Sequence, residues 1–229
     1  MGVALIAIGR INEAIECFNE LLREKQDTAE VHYNWALALN MQRKYDDAIK
    51  HLTRALEMTP NYSAAQNQMG ALLLATGRTE EAITHLNEAL RTSKEPVKVY
   101  ENLGKAYAQL GQYRPAIQNW TRAVELKPDN VPVLNDLAWL LATTGDVSAE
   151  DANRAVEFAR RACELTGYKK PDFLDTLAVA YAAAGRFEDA VNTANQAIDI
   201  AKAGNQEDLA DEIQSRMKLY QADQRYQQK

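Results

Sequence analysis

The feature that most constrains this chain is a period of 34 residues. Asp47-Ala48-Ile49 returns as Glu81-Ala82-Ile83 and Pro115-Ala116-Ile117, and Arg54-Ala55-Leu56 returns as Glu88-Ala89-Leu90 and Arg122-Ala123-Val124. Upstream in each unit one place is held by a large residue beside a small one: Trp35-Ala36, Met69-Gly70, Leu103-Gly104, Leu137-Ala138 and Leu177-Ala178. A glycine follows each of the last four pairs, at Gly77, Gly111, Gly145 and Gly185. A fixed period of this length means stacked supersecondary units, none of which buries its own apolar face alone. Two helices of three to four turns can cross closely only where side chains are small, which explains Ala48, Gly70, Ala82, Gly104, Ala116 and Ala190. Trp35, Leu86, Tyr107 and Trp120 are then free to fill the space between successive hairpins. Ten glycines and six prolines in 229 residues are too few for a turn-rich β protein, so the expected fold is all-α.

The unit from Val97 shows the fullest pattern, with Tyr100, Leu103, Gly104, Tyr107, Gly111, Tyr113, Ala116, Trp120, Ala123 and Pro128. It resembles the tetratricopeptide repeat, which is a pair of antiparallel helices. The resemblance implies a right-handed αα superhelix, or solenoid, of about five full repeats, at 29–62, 63–96, 97–130, 131–170 and 171–204. A partial repeat at 1–28 would precede them, and a capping helix and tail at 205–229 would follow. Arg43 in place of the turn glycine and Lys94 in place of the closing proline depart from the pattern.

The punctuation agrees with these units. Gly9, Gly77, Gly111, Gly145 and Gly185 are expected to end first helices, and Pro96, Pro115, Pro132 and Pro171 fall in first turns, where a missing amide costs little. Pro60-Asn61 and Pro128-Asp129-Asn130 are expected to supply polar caps. The unit 131–170 is lengthened around Gly145-Asp146-Val147-Ser148-Ala149-Glu150, with Ser148 and Asp151 making a capping-box-like start to its second helix. Gly9, Ala14 and Phe18 fit a repeat that would begin before Met1, so the chain reads as opening inside a first helix, as a piece of a longer protein or a start within a repeat. Asp208 to Gln224 reads as an amphipathic helix with Leu209, Ile213, Met217 and Tyr220 on one face, suited to cover the last hairpin. Its polar face is mixed in sign, unlike that of a membrane-lying helix.

Several function classes are disfavoured. With 26 basic and 32 acidic residues the net charge is −6, so neither nucleic acid nor an anionic membrane is the expected partner. The apolar opening MGVALIAIG is too short to span a bilayer and lacks the positive flank of a secretory signal. Cys17 and Cys163 form no CxxC, and no HExxH, GxSxG, P-loop or dinucleotide glycine motif is present, so neither catalysis nor a cofactor is expected. His51 and His85 hold one repeat place, with His32 elsewhere. A metal joining Cys17, His51 and His85 would need ligands converging across helices about 8–10 Å apart, and is not expected.

At about 100° per residue, the places of each first helix that cannot serve the core form one stripe. In the repeat family this stripe lines the concave groove, and the resemblance implies that extended peptides bind there. The stripe carries Tyr33, Asn34, Gln68, Lys98, Asn102, Lys105, Asp136, Trp139, Asp172 and Asp175, with Asn67, Thr176 and Val179 among its other members. Asn34, Gln68 and Asn102 share one place, with Asp136 next, so they suggest a column of amides able both to donate to and accept from a peptide backbone. A similar asparagine ladder holds peptides in the repeat domain of the O-linked N-acetylglucosamine transferases, although asparagine at this place also tracks the repeat consensus. Lys98 and Lys105 favour acidic groups on a ligand, and Asp136, Asp172 and Asp175 favour basic ones. Trp139 either anchors a ligand or packs against the lengthened loop. The clamp for heat-shock chaperone tails is present only in fragments, at Lys98, Asn102 and Lys105.

Two readings follow. One is a non-catalytic scaffold that binds a protein or peptide partner, with self-association through the open first repeat as a further option. The other is an accessory part of a larger protein, because the last repeats resemble those that follow a membrane or glycosyltransferase region in large bacterial proteins.

Overall fold

In a computed structural model, which describes residues 1–145 and 147–228, the chain is helical throughout. Among the described residues there are thirteen helices and no strand. They run α1 Gly2–Ala7, α2 Ile11–Arg23, α3 Ala29–Met41, α4 Tyr45–Met58, α5 Ser63–Ala75, α6 Thr79–Thr92, α7 Val97–Gln109, α8 Tyr113–Leu126, α9 Val131–Thr143, α10 Ala149–Leu165, α11 Pro171–Ala183, α12 Phe187–Ala203 and α13 Glu207–Tyr220. Two compact units result, Met1–Gly111 with α1 to α7, and Gln112 onward with α8 to α13.

The small residues do what their spacing requires. Ala36, Ala48, Ala55, Ala82 and Ala89 are fully buried in the first unit, and Ala138, Ala155, Ala178, Ala190 and Ala197 in the second. At Gly70 the approach is close: a β-carbon there would lie 2.5 Å from Leu86 Cγ, so Leu86 would have to move. Leu52, Leu86, Leu137 and Leu174 fill the hairpins with no exposure.

Most turns inside the hairpins share one geometry; the turn after α9 does not, because Thr144 is extended with ψ of 124° and Gly145 therefore does not close the helix as expected. Gly77 takes φ of +77°, and the next amide, that of Arg78, donates back to Leu73 O at 2.8 Å. This is the left-handed closure that favours glycine. Arg43 takes the same place with φ of +58°, and Lys44 N still closes on Leu39 O at 3.0 Å. The departure from glycine therefore keeps the turn and carries its backbone strain.

Helix starts follow the expectation in part. Ser148 Oγ accepts from Asp151 N at 3.0 Å, so the expected N-cap forms, while its hydroxyl donates to the Asp151 carboxylate at 2.8 Å in place of the backbone bond of a full capping box. Asp146, in the same loop, lies outside the described residues. The segments Pro60-Asn61 and Pro128-Asp129-Asn130 do not cap through side chains: α5 starts from Tyr62 and α9 from Asn130, neither with a side-chain cap bond. Pairs of acidic residues in the first turns of α4, α6, α12 and α13 offset the helix dipole.

The helix α13 packs on α11 and α12 with Ala210, Ile213, Met217 and Tyr220 buried. It ends at Tyr220 rather than Gln224, because Asp223 adopts φ of +53° and Gln224 N closes on Leu219 O at 2.9 Å. The chain then folds back toward α9. Both cysteines are free and buried, and burial pushes the Cys163 thiol up to about 12. Among the described residues no helix is long and apolar enough to cross a membrane, and no cluster of three metal-ligating side chains occurs.

Candidate peptide-binding faces

The candidate site residues divide between the two units. In the first, Tyr33 and Asn34 stand on α3, Gln68 on α5, and Lys98, Asn102 and Lys105 on α7. The three amides are half-buried and the two lysines exposed. Asn102 Nδ2 donates to Asn67 Oδ1 at 3.0 Å, so the neighbour that holds it is one place away from Gln68. That bond orients Asn102 while leaving its carbonyl oxygen for another donor. The ring of Tyr33 lies 5.1 Å from that of Tyr62, and burial raises the Tyr33 hydroxyl pKa.

In the second unit Asp136 and Trp139 stand on α9, and Asp172 and Asp175 on α11. Asp172 is exposed in the first turn of its helix, where a carboxylate is favoured. Asp175, expected on the exposed stripe, is instead 4% exposed, with Thr176 and Val179 buried beside it. The reason is α13, which lays Arg216 over this place. The guanidinium grips both Asp175 oxygens, at 3.1 and 2.8 Å. Burial outweighs that partner and raises the Asp175 carboxyl above its ordinary range.

Trp139 turns toward the same region rather than toward the lengthened loop. Its Nε1–H donates to Gln228 Oε1 at 3.1 Å, its ring lies 5.8 Å from that of Tyr226, and Arg216 stands 5.8 Å from it. Arg216 also lies 5.7 Å from the Tyr226 ring. Arg216, Tyr226 and Gln228 did not stand out in the sequence, because the 34-residue phase stops before them. One signal was available: Tyr226 is an aromatic residue set in an otherwise polar run, Gln224-Arg225-Tyr226-Gln227-Gln228.

The histidines are parted differently from the repeat register. His51 meets His32, Nδ1 to Nδ1 at 2.8 Å, and stacks on Trp35 with ring centres 4.2 Å apart. His32 Nε2 meets Asp27 Oδ1 at 2.9 Å. This chain is satisfied when His32 donates to Asp27 and one proton lies between the two Nδ1 atoms, with the His51 ring neutral. Burial, and then the charge of His32, lower the His51 pKa to about 4. His85 stands apart, its Nδ1 2.6 Å from Gln66 Oε1.

Comparison with known proteins adds the family. Family models described as tetratricopeptide repeat match residues 1–28, 27–95, 97–130 and 172–196. Among solved structures, YrrB, a TPR protein with an unusual peptide-binding site, is 22% identical, covers 88% of this chain and 99% of its own, and superposes with a TM-score of 0.73. The pilF protein of Pseudomonas aeruginosa is 18% identical over 93% of each chain, with a TM-score of 0.79. MamA is 17% identical, covers 76% of this chain and 92% of its own, and gives 0.65. At such identities the likeness is one of fold. No curated protein matches the sequence significantly. The repeated hairpins, their turn glycines and four family matches along the chain make it a member of the tetratricopeptide-repeat family.

Proposed function

We propose that the chain is a non-catalytic interaction module that takes up an extended segment of a partner protein on the face presented by its first helices. The observation that carries this is the set of half-buried amides, Asn34, Gln68 and Asn102, at one register place of α3, α5 and α7. Amides recur where both backbone donors and backbone acceptors must be met, whatever the partner's side chains. Lys98 and Lys105 add exposed positive charge on α7, which favours a segment carrying carboxylates. In the other unit Asp172 offers the opposite preference. YrrB, which shares the fold, has a peptide-binding site, and this supports the reading.

The test is a peptide array probed with the purified chain and with an Asn34→Ala, Asn102→Ala variant. At about 1 kcal/mol for each lost bond, binding weakens by about tenfold or more, with the melting temperature nearly unchanged. An unchanged array pattern overturns the role of the amides. Lys98→Glu is expected to shift preference away from acidic peptides.

A further inference from the structure

We propose that the α9 face of the second unit is a peptide site now occupied by the chain's own residues 225–228, and that it fits an extended partner segment with an aromatic residue two places before a glutamine. The proposal rests on the reading of the chain as a peptide-taking module and specifies a ligand chemistry for one face.

The receiving groups lie on α9 and the loop after it, with Arg216 of α13 beside them. Gln228 N donates to the carbonyl of Thr143 at 3.2 Å, and Gln228 Oε1 accepts from the Trp139 indole at 3.1 Å. Arg225 reaches the carbonyl of Gly145 at 3.4 Å, and the Tyr226 ring rests against Trp139 and Arg216. The last carbonyls of a helix have no partner within the helix, and the negative end of its dipole attracts a cation. An extended strand bearing an arginine and a free backbone N–H therefore meets what the end of α9 leaves unsatisfied.

The contacts are those of a ligand more than of a core. They are directional and involve backbone groups, while Gln227 and Gln228 are exposed and Arg225 and Tyr226 only half-buried. Little apolar area holds the segment down, so it can exchange. Its direction matters too. Arg225 lies at Gly145 and Gln228 at Trp139, so the segment runs antiparallel to α9, toward the start of that helix.

Tethering sets the strength of the competition. A segment held in cis at an effective concentration of about 1 mM, against an intrinsic Kd of about 0.1 mM, weakens capture of the same sequence in trans by about tenfold.

The experiment uses the full chain and a fluorescein-labelled peptide with the sequence of residues 221–228. A Tyr226→Ala, Gln228→Ala variant is expected to bind this peptide about tenfold more tightly than the unaltered chain, and adding Trp139→Ala is expected to abolish binding. The Trp139 indole N–H resonance should shift in the double variant and return when the peptide is added. Circular dichroism melts check that each variant is folded. Equal peptide affinity before and after release, or an indole resonance indifferent to the double substitution, overturns the proposal. Self-association that needs Tyr226 and rises with protein concentration also overturns it, because the segment would then be held in trans. The broader reading is tested separately: array binding that depends on Asn34 and Asn102 but ignores release leaves the module standing without this site. Peptide capture that depends on release and Trp139 alone leaves this site without the amide face.

Discussion

At the scale of single residues, the backbone of Arg43 and the ring of His51 give two measurable consequences. A left-handed conformation costs an ordinary residue about 1–2 kcal/mol, part of which glycine gives back in chain entropy. Arg43→Gly is therefore expected to stabilise the first unit by about 1 kcal/mol, read from the urea midpoint. His51 titrates near 4 in the folded chain against an ordinary 6.5. The unfolded chain thus binds the proton more readily, and the stability contributed by the neutral ring is complete above about pH 6.5 and lost as pH falls toward 4. His51→Phe keeps a ring against Trp35 and is expected to flatten the fall in urea midpoint between pH 7 and pH 5. A fall as steep as that of the unaltered chain would remove His51 as its cause. The register placed Asn34, Gln68 and Asn102 on one stripe, but it could not say that Asn102 bonds Asn67. That choice depends on how far α7 is shifted along α5, which no period encodes.

At the scale of elements, α13 is decisive because it changes what the second unit presents. Its apolar face was legible from Ile213, Met217 and Tyr220. Its polar face was not, because Arg216 gains a meaning only when Asp175 of α11 lies beneath it. The pair is buried on both sides, with side-chain exposures of 13% and 6%. Removing Asp175 takes away two charge-assisted hydrogen bonds and leaves Arg216 only the exposed Glu212 carboxylate, 3.6 Å away, so Asp175→Ala is expected to cost about 2–3 kcal/mol, less than an unpaired buried charge would. Chemical denaturation with a probe in the second unit measures it, and a loss below 1 kcal/mol would show Arg216 finding another partner. The hydroxyl of Tyr220 gives the converse case, since it is buried without a hydrogen-bond partner. Tyr220→Phe is expected to leave the melting temperature unchanged or raise it, because the lost group satisfies nothing. The repeated helices were easier to read than this last one. Their small-residue contacts recur at a fixed spacing, whereas α13 is ended by Asp223, which tolerates a left-handed turn but stands outside the repeated glycine place.

At the scale of the whole molecule, stacked repeats make stability a sum over neighbours rather than a property of one core. Leu52 and Leu174 are fully buried, one in each unit. Either one changed to alanine is expected to cost about 2–5 kcal/mol locally. Hydrogen exchange should show protection falling most in the hairpins beside the substitution and less in those farther along the chain. A uniform loss along the whole chain would mean one cooperative block instead. Two hidden sulfurs offer a simpler clock. Cys17 belongs to the first unit and Cys163 to the second, and both are shielded in the native state. A maleimide reagent can reach either one only while its own hairpin is apart, so the two labelling rates, resolved by mass spectrometry, would time the breathing of each half in an unmodified chain.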